Sequence, residues 1–127
     1  MLKRIYILSL LWISIAACSN KSDSIDDKEL PVIQLLSPTA NQVFTAGQTV
    51  IVGGNITDNN KLAEIHVHIY NNTSGQLLMD IHRFPVGGTY ALNETFTVQA
   101  GIQYKIQVLA TDKSANQQNQ TVFISAN

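Results

Sequence analysis

Three histidines and an aspartate alternate with apolar residues in two neighbouring segments. His66 and His68 lie within Leu62-Ala63-Glu64-Ile65-His66-Val67-His68-Ile69-Tyr70, and Asp80 and His82 are interleaved with Leu77, Met79 and Ile81. Imidazole nitrogens and carboxylate oxygens are the donors that zinc-like ions take, and three His with one Asp supply a four-ligand set. Residues two apart on a strand point to the same face, so His66 and His68 share one face while Ile65, Val67 and Ile69 occupy the other. The intervening Asn71-Asn72-Thr73-Ser74-Gly75 reads as a short hairpin loop, with Gly75 free to take positive φ. If both apolar sets face one core, all four polar residues fall on the opposite face, and a three-residue loop sets His66 against His82 and His68 against Asp80. Cross-strand Cβ atoms are then roughly 5 Å apart, within reach of a shared ion. The other reading of the same pattern is a solvated polar face on which His and Asp titrate freely. A catalytic zinc would also need a sheltered water and supporting hydrogen bonds, which a flat hairpin face does not readily supply, so no enzyme activity is expected.

Elements that could position this set dominate the chain from Pro31 onward. Val, Ile, Thr, Tyr and Phe are abundant there, and Gly, Asn, Asp and Ser clusters punctuate the runs about every ten residues. The strands expected are 32–36, 43–45, 49–57, 63–70, 76–84, 89–98, 102–111 and 120–125. Pro38 stops the first of them, because it cannot donate to a central ladder. No helix-length window carries an uninterrupted 3.6-residue apolar stripe. The expected fold is all-β: a single β-sandwich of about seven to eight antiparallel strands over residues 31–127. Val52-Gly53-Gly54-Asn55 and Pro85-Val86-Gly87-Gly88 lack phosphate-binding patterns and fit a strand bulge and a turn.

The whole chain has 127 residues and a net charge of −1 with a pI near 6.2. That balance excludes the basic footprint of a nucleic-acid binder. The lone Cys18 excludes a disulfide scaffold and a CxxC zinc site. Residues 1–17 carry a positive head, Met1-Leu2-Lys3-Arg4, then an apolar run from Ile5, then Ala16-Ala17, which is the order of a secretory signal. The apolar run is shorter than the ~20 residues a membrane span needs. Residues 18–30 hold Asp23, Asp26, Asp27 and Glu29 with little apolar content, and read as a flexible acidic tether.

Ile15-Ala16-Ala17-Cys18 resembles the bacterial lipobox, which implies cleavage before Cys18, acylation of that residue with palmitate-like chains, and a membrane partner reached through the lipid anchor. The acidic residues that follow resemble surface-export signals of Bacteroidetes lipoproteins, and Asp23-Ser24-Ile25 resembles that phylum's O-glycosylation acceptor, which implies a glycan on Ser24. The resemblance implies an outer-membrane, surface-exposed location.

Four stretches resemble bacterial Ig-like domains: Pro31-Val32-Ile33-Gln34-Leu35-Leu36-Ser37-Pro38, Phe44-Thr45-Ala46-Gly47-Gln48-Thr49-Val50, Ile56-Thr57-Asp58, and 100–112 with Asn116 beyond it. The segment 62–70 is similar to a His-bearing Bacteroidetes lipoprotein family of unknown function. An Ig-like sandwich implies that its B–C and F–G loops meet where the chain enters. Asp58, Asp112 and Asn116 would gather there near Asp26, Asp27 and Glu29, an oxygen-rich set suited to Ca²⁺; the competing reading is that these Asx residues only form turns. Tyr104 is either a tyrosine corner or an ordinary core tyrosine. The expected function is a membrane-anchored, non-catalytic binding or adhesion module with a protein or carbohydrate ligand. The alternatives are an envelope metal-binding protein using the His set and a structural subunit of a surface assembly.

Overall fold

The structure, a computed structural model, describes residues 27–127. The expected signal segment, Cys18, Ser24 and the first part of the tether lie outside the described residues. Eight strands follow one another: β1 (Val32–Ser37), β2 (Val43–Phe44), β3 (Thr49–Thr57), β4 (Leu62–Asn71), β5 (Leu77–Arg83), β6 (Thr89–Thr97), β7 (Gln103–Asp112) and β8 (Gln117–Ala126). They form a three-stranded sheet, β1-β3-β6, and a five-stranded sheet, β2-β8-β7-β4-β5. This is the expected Ig-like sandwich. One pairing differs from expectation: β2 lies parallel to β8. After Pro38 the chain leaves the edge of the first sheet, and Asn41 N donates to Phe123 O as it docks along β8.

Alternation explains the core. Val50, Val52 and Ile56 of β3 and Leu92 and Phe96 of β6 face Ile65, Val67 and Ile69 of β4 and Tyr104, Ile106, Val108 and Ala110 of β7, all buried. Glu64 and His66 flank Ile65 on the opposite side, so this β-branched run fixes which way the polar set points. The doublet Gly53-Gly54 sits opposite a bulge on β1, between Leu35 and Ser37. At Gly54 a Cβ would overlap the Gln34 carbonyl, so only glycine lets β1 come this close.

Tyr104 is a tyrosine corner. Its hydroxyl accepts the Gln99 backbone N–H at 2.8 Å, and its ring meets Phe96 edge-on with centroids 5.4 Å apart. Tyr104→Phe keeps the ring and deletes the acceptor. It is expected to lower unfolding free energy by about 1 kcal/mol in urea titration, the usual net worth of one such hydrogen bond.

Candidate functional site

β4 and β5 pair with His66 opposite His82 and His68 opposite Asp80, the expected register. It is reached by an unexpected route. The chain turns over 72–75, closed by Asn71 N donating to Gln76 O and Gly75 N donating to Asn71 O. Tyr70 then pairs with Leu77, and a bulge before Met79 shifts the ladder by one residue. The bulge restores the parity that puts Asp80 and His82 on the His66 face. It also corrects the expected orientation of Leu77, which pairs with Tyr70 on the polar face, while Leu78 turns with Met79 toward Ile69, Phe96 and Tyr104.

On that face the side chains interlock. Asp80 Oδ1 lies 3.1 Å from His82 Nε2, 3.2 Å from His68 Nε2 and 3.8 Å from His66 Nδ1. The His66 and His82 rings are 4.0 Å apart, centroid to centroid. Glu64, absent from the sequence-based ligand set, completes the cluster: its Oε1 is 2.9 Å from His66 Nε2 and 3.0 Å from His82 Nδ1. The signal for it was present, because Glu64 stands two residues before His66 in the same alternation. The donors fall into two triads that share His66, namely Glu64–His66–His82 and His66–His68–Asp80, each with its donor atoms within 4.8 Å of one another. Side-chain exposure runs from 19% at His68 to 42% at His82, so the cluster is a shallow, half-covered patch.

The electrostatics follow from these contacts. His82 has a carboxylate on each ring nitrogen, and an imidazole with two acceptors is best served when both nitrogens carry protons. The Glu64 hydrogen bond, then that of Asp80, raises its pKa above the ordinary 6.5. The same contacts hold Glu64 and Asp80 below their ordinary values, with the His82 hydrogen bond the leading cause for each. His66 Nδ1 is buried with no hydrogen-bond partner among the described residues. Tyr70 OH lies 3.4 Å from His68 Nδ1, and Lys105 Nζ sits 4.2 Å above the Tyr70 ring.

The second predicted set assembles at one pole. The loop between β3 and β4 and the loop between β7 and β8 touch through Lys113 N donating to Lys61 O. Asp112 ends β7 at a core-facing position and is 2% exposed. Its Oδ1 accepts the backbone N–H groups of Ser114 and Asn116, and its Oδ2 accepts Asn116 Nδ2. Asn116 Nδ2 also donates to the Asp27 carbonyl. Asp27 comes from the expected tether, yet it is buried here, and its Oδ1 accepts Glu29 N and Asn59 Nδ2. Asp27, Asp58 and Asp112 bring carboxylate oxygens within 4.8 Å of one another. Asp26 lies outside the described residues.

Comparison with known proteins adds a family and a fold. The family model described as a domain of unknown function, DUF4625, matches residues 16–80, half of the chain. The chain belongs to the DUF4625 family. The match takes in Asp27, Asp58, Glu64, His66, His68 and Asp80, and ends before His82 and Asp112. No curated protein matches the sequence. Among solved structures, the fibronectin(III)-like modules of Clostridium thermocellum CbhA are similar, with a TM-score of 0.53 at 16% identity, over 77% of this chain and 47% of that one. The chain thus spans about half the length of that structure, and at this identity the likeness speaks to the sandwich alone. Sandwiches of this kind host many functions, so function must be argued from the sites.

Proposed function

We propose that this DUF4625 chain is a cell-envelope lipoprotein, held on the outer membrane by acylated Cys18, that presents its sandwich as a non-catalytic binding or adhesion module for a protein or carbohydrate. The observation that carries this reading is the order along the chain: a positive head, an apolar run, Ala16-Ala17-Cys18, an acidic segment that carries Ser24, then a fibronectin(III)-like sandwich. Acyl chains contribute ~0.8 kcal/mol per buried CH₂, so two or three would hold the protein at the surface without a membrane span. Metabolic labelling with palmitate is expected to mark the wild type and to leave Cys18→Ala unlabelled and released from the membrane fraction. Equal labelling of the two would sink the lipoprotein reading.

A second reading, that the β4–β5 face holds a zinc-like ion, is favoured by one observation. Asp80 Oδ1 lies 3.1–3.8 Å from a nitrogen of each histidine, and ligands bound at ~2.0–2.1 Å around a tetrahedral ion stand roughly that far apart. The unpartnered His66 Nδ1 is a donor position such an ion would satisfy. Glu64 then serves either as a ligand or as the acceptor that orients a ligating imidazole.

A further inference from the structure

We propose that the pole at which residue 27 joins the sandwich is a calcium site built by Asp27, Asp58 and Asp112, and that the ion fastens the membrane-proximal segment to the domain. Asp27 Oδ2 and Asp58 Oδ2 are both buried, and both lack a hydrogen-bond partner among the described residues. Asp27 as a whole is 8% exposed. A buried carboxylate oxygen without a partner is costly, and these two belong to side chains that already meet a third carboxylate within 4.8 Å. The remaining oxygens are held by the fold. Asp27 Oδ1 has two donors, Asp58 Oδ1 accepts Asn60 N at 3.0 Å, and Asp112 Oδ1 has two donors. Asp112 Oδ2 accepts one bond, from Asn116 Nδ2, and keeps a lone pair. Each carboxylate is therefore oriented by one oxygen and has acceptor capacity left on the other, an arrangement preset for a cation.

The donor chemistry selects the ion. Every donor in the cluster is oxygen, which suits hard cations over zinc or copper. Donors within 4.8 Å of one another fit inside a calcium shell, whose opposite ligands stand about 5 Å apart, and waters complete the six to eight positions. The three ligands come from three places in the chain: the entering segment, the β3–β4 loop and the end of β7. An ion shared among them ties residue 27 to two loops of the sandwich that are already hydrogen-bonded to each other. The mount of the domain on its anchor-side segment then stiffens at the ~0.1–1 mM calcium affinities usual for extracellular modules.

The test uses the full chain in detergent, titrated with Ca²⁺ to about 5 mM and followed by calorimetry and thermal unfolding. Expected are a saturating heat, a rise in Tm, and slower amide exchange at residues 27–30. Asp27→Asn and Asp58→Asn are expected to weaken calcium binding by about tenfold or more, because each removes one anionic ligand while keeping its shape. Neither substitution should lower the Tm of the metal-free protein, which confirms that the variants fold. A His66→Ala/His82→Ala variant is expected to keep the full calcium response. The proposal is overturned if wild type gives neither heat nor Tm shift at about 5 mM, if both Asn variants respond as wild type does, or if Mg²⁺ produces the same response.

Discussion

Ile65→Ala is expected to lower the unfolding free energy by about 2–5 kcal/mol, against a total of about 5–15 kcal/mol for a domain of this size. Ile65 is fully buried, and its ladder neighbour on β7 is Ala110, itself buried and too small to move into the space left behind. Its neighbour on β5 is Arg83, whose guanidinium is committed to Glu94 at 2.8 Å and cannot fill an apolar hole. The cavity therefore stays open, and the cost should fall in the upper half of the range. Urea unfolding followed by circular dichroism measures it, and a loss below about 1 kcal/mol would mean that the core at β4 relaxes far more than its packing implies. The position also bears on the polar face. Ile65 lies between Glu64 and His66, so its burial is what turns both of them outward, and Ile65→Ala, if folded, should keep the same pairing register.

Period-two alternation made the architecture and most of the β4–β5 face legible from the sequence. His66 and His68 could be assigned to one face because Ile65, Val67 and Ile69 have only one place to go. Parity alone could not reveal the bulge before Met79, because Leu77, Leu78 and Met79 are all apolar and any of them could turn inward. Glu64 was legible by the same parity, because the bulge between Leu62 and Glu64 lies before it and the alternation is regular from Glu64 onward. The parallel β2–β8 pair and the burial of Asp27 were beyond local pattern altogether. Asp27 and Asn116 meet across a separation of 89 residues; the Ig-like resemblance implied that they share a pole, but a short acidic stretch with no apolar period gives no hint that Asp27 is buried there.

Zinc and protons should push the stability of the β4–β5 face in opposite directions along the pH scale. With chelator present, His82 has a pKa raised by Glu64 and Asp80, so its contribution is complete below the ordinary value of 6.5 and is lost as pH rises through the higher folded value. Glu64 and Asp80 have lowered values, so their contributions are complete above the ordinary 4.5 and 3.8 and are lost as pH falls through the folded values. The metal-free face is therefore most stabilising between about pH 4.5 and 6.5, and Tm should decline from pH 6.5 to 8.5. Zinc must displace the proton that His82 holds between the two carboxylates, so its stabilisation should grow over that same interval. A thermal-unfolding series at pH 5.5, 6.5, 7.5 and 8.5, with Zn²⁺ or chelator, is expected to show the two curves diverging toward high pH, with a gain near 2.7 kcal/mol wherever free zinc reaches about 100 times its Kd. His66→Ala removes the residue common to both donor triads and should collapse the zinc curve onto the chelator curve at every pH. His82→Ala should flatten the decline above pH 6.5 in chelator, because the imidazole caught between Glu64 and Asp80 is what titrates there. A zinc response that is as large at pH 5.5 as at pH 8.5, or that survives His66→Ala, would place the ion away from this face. Parallel curves with the expected decline would leave a hydrogen-bonded histidine–carboxylate network that holds a proton and no metal.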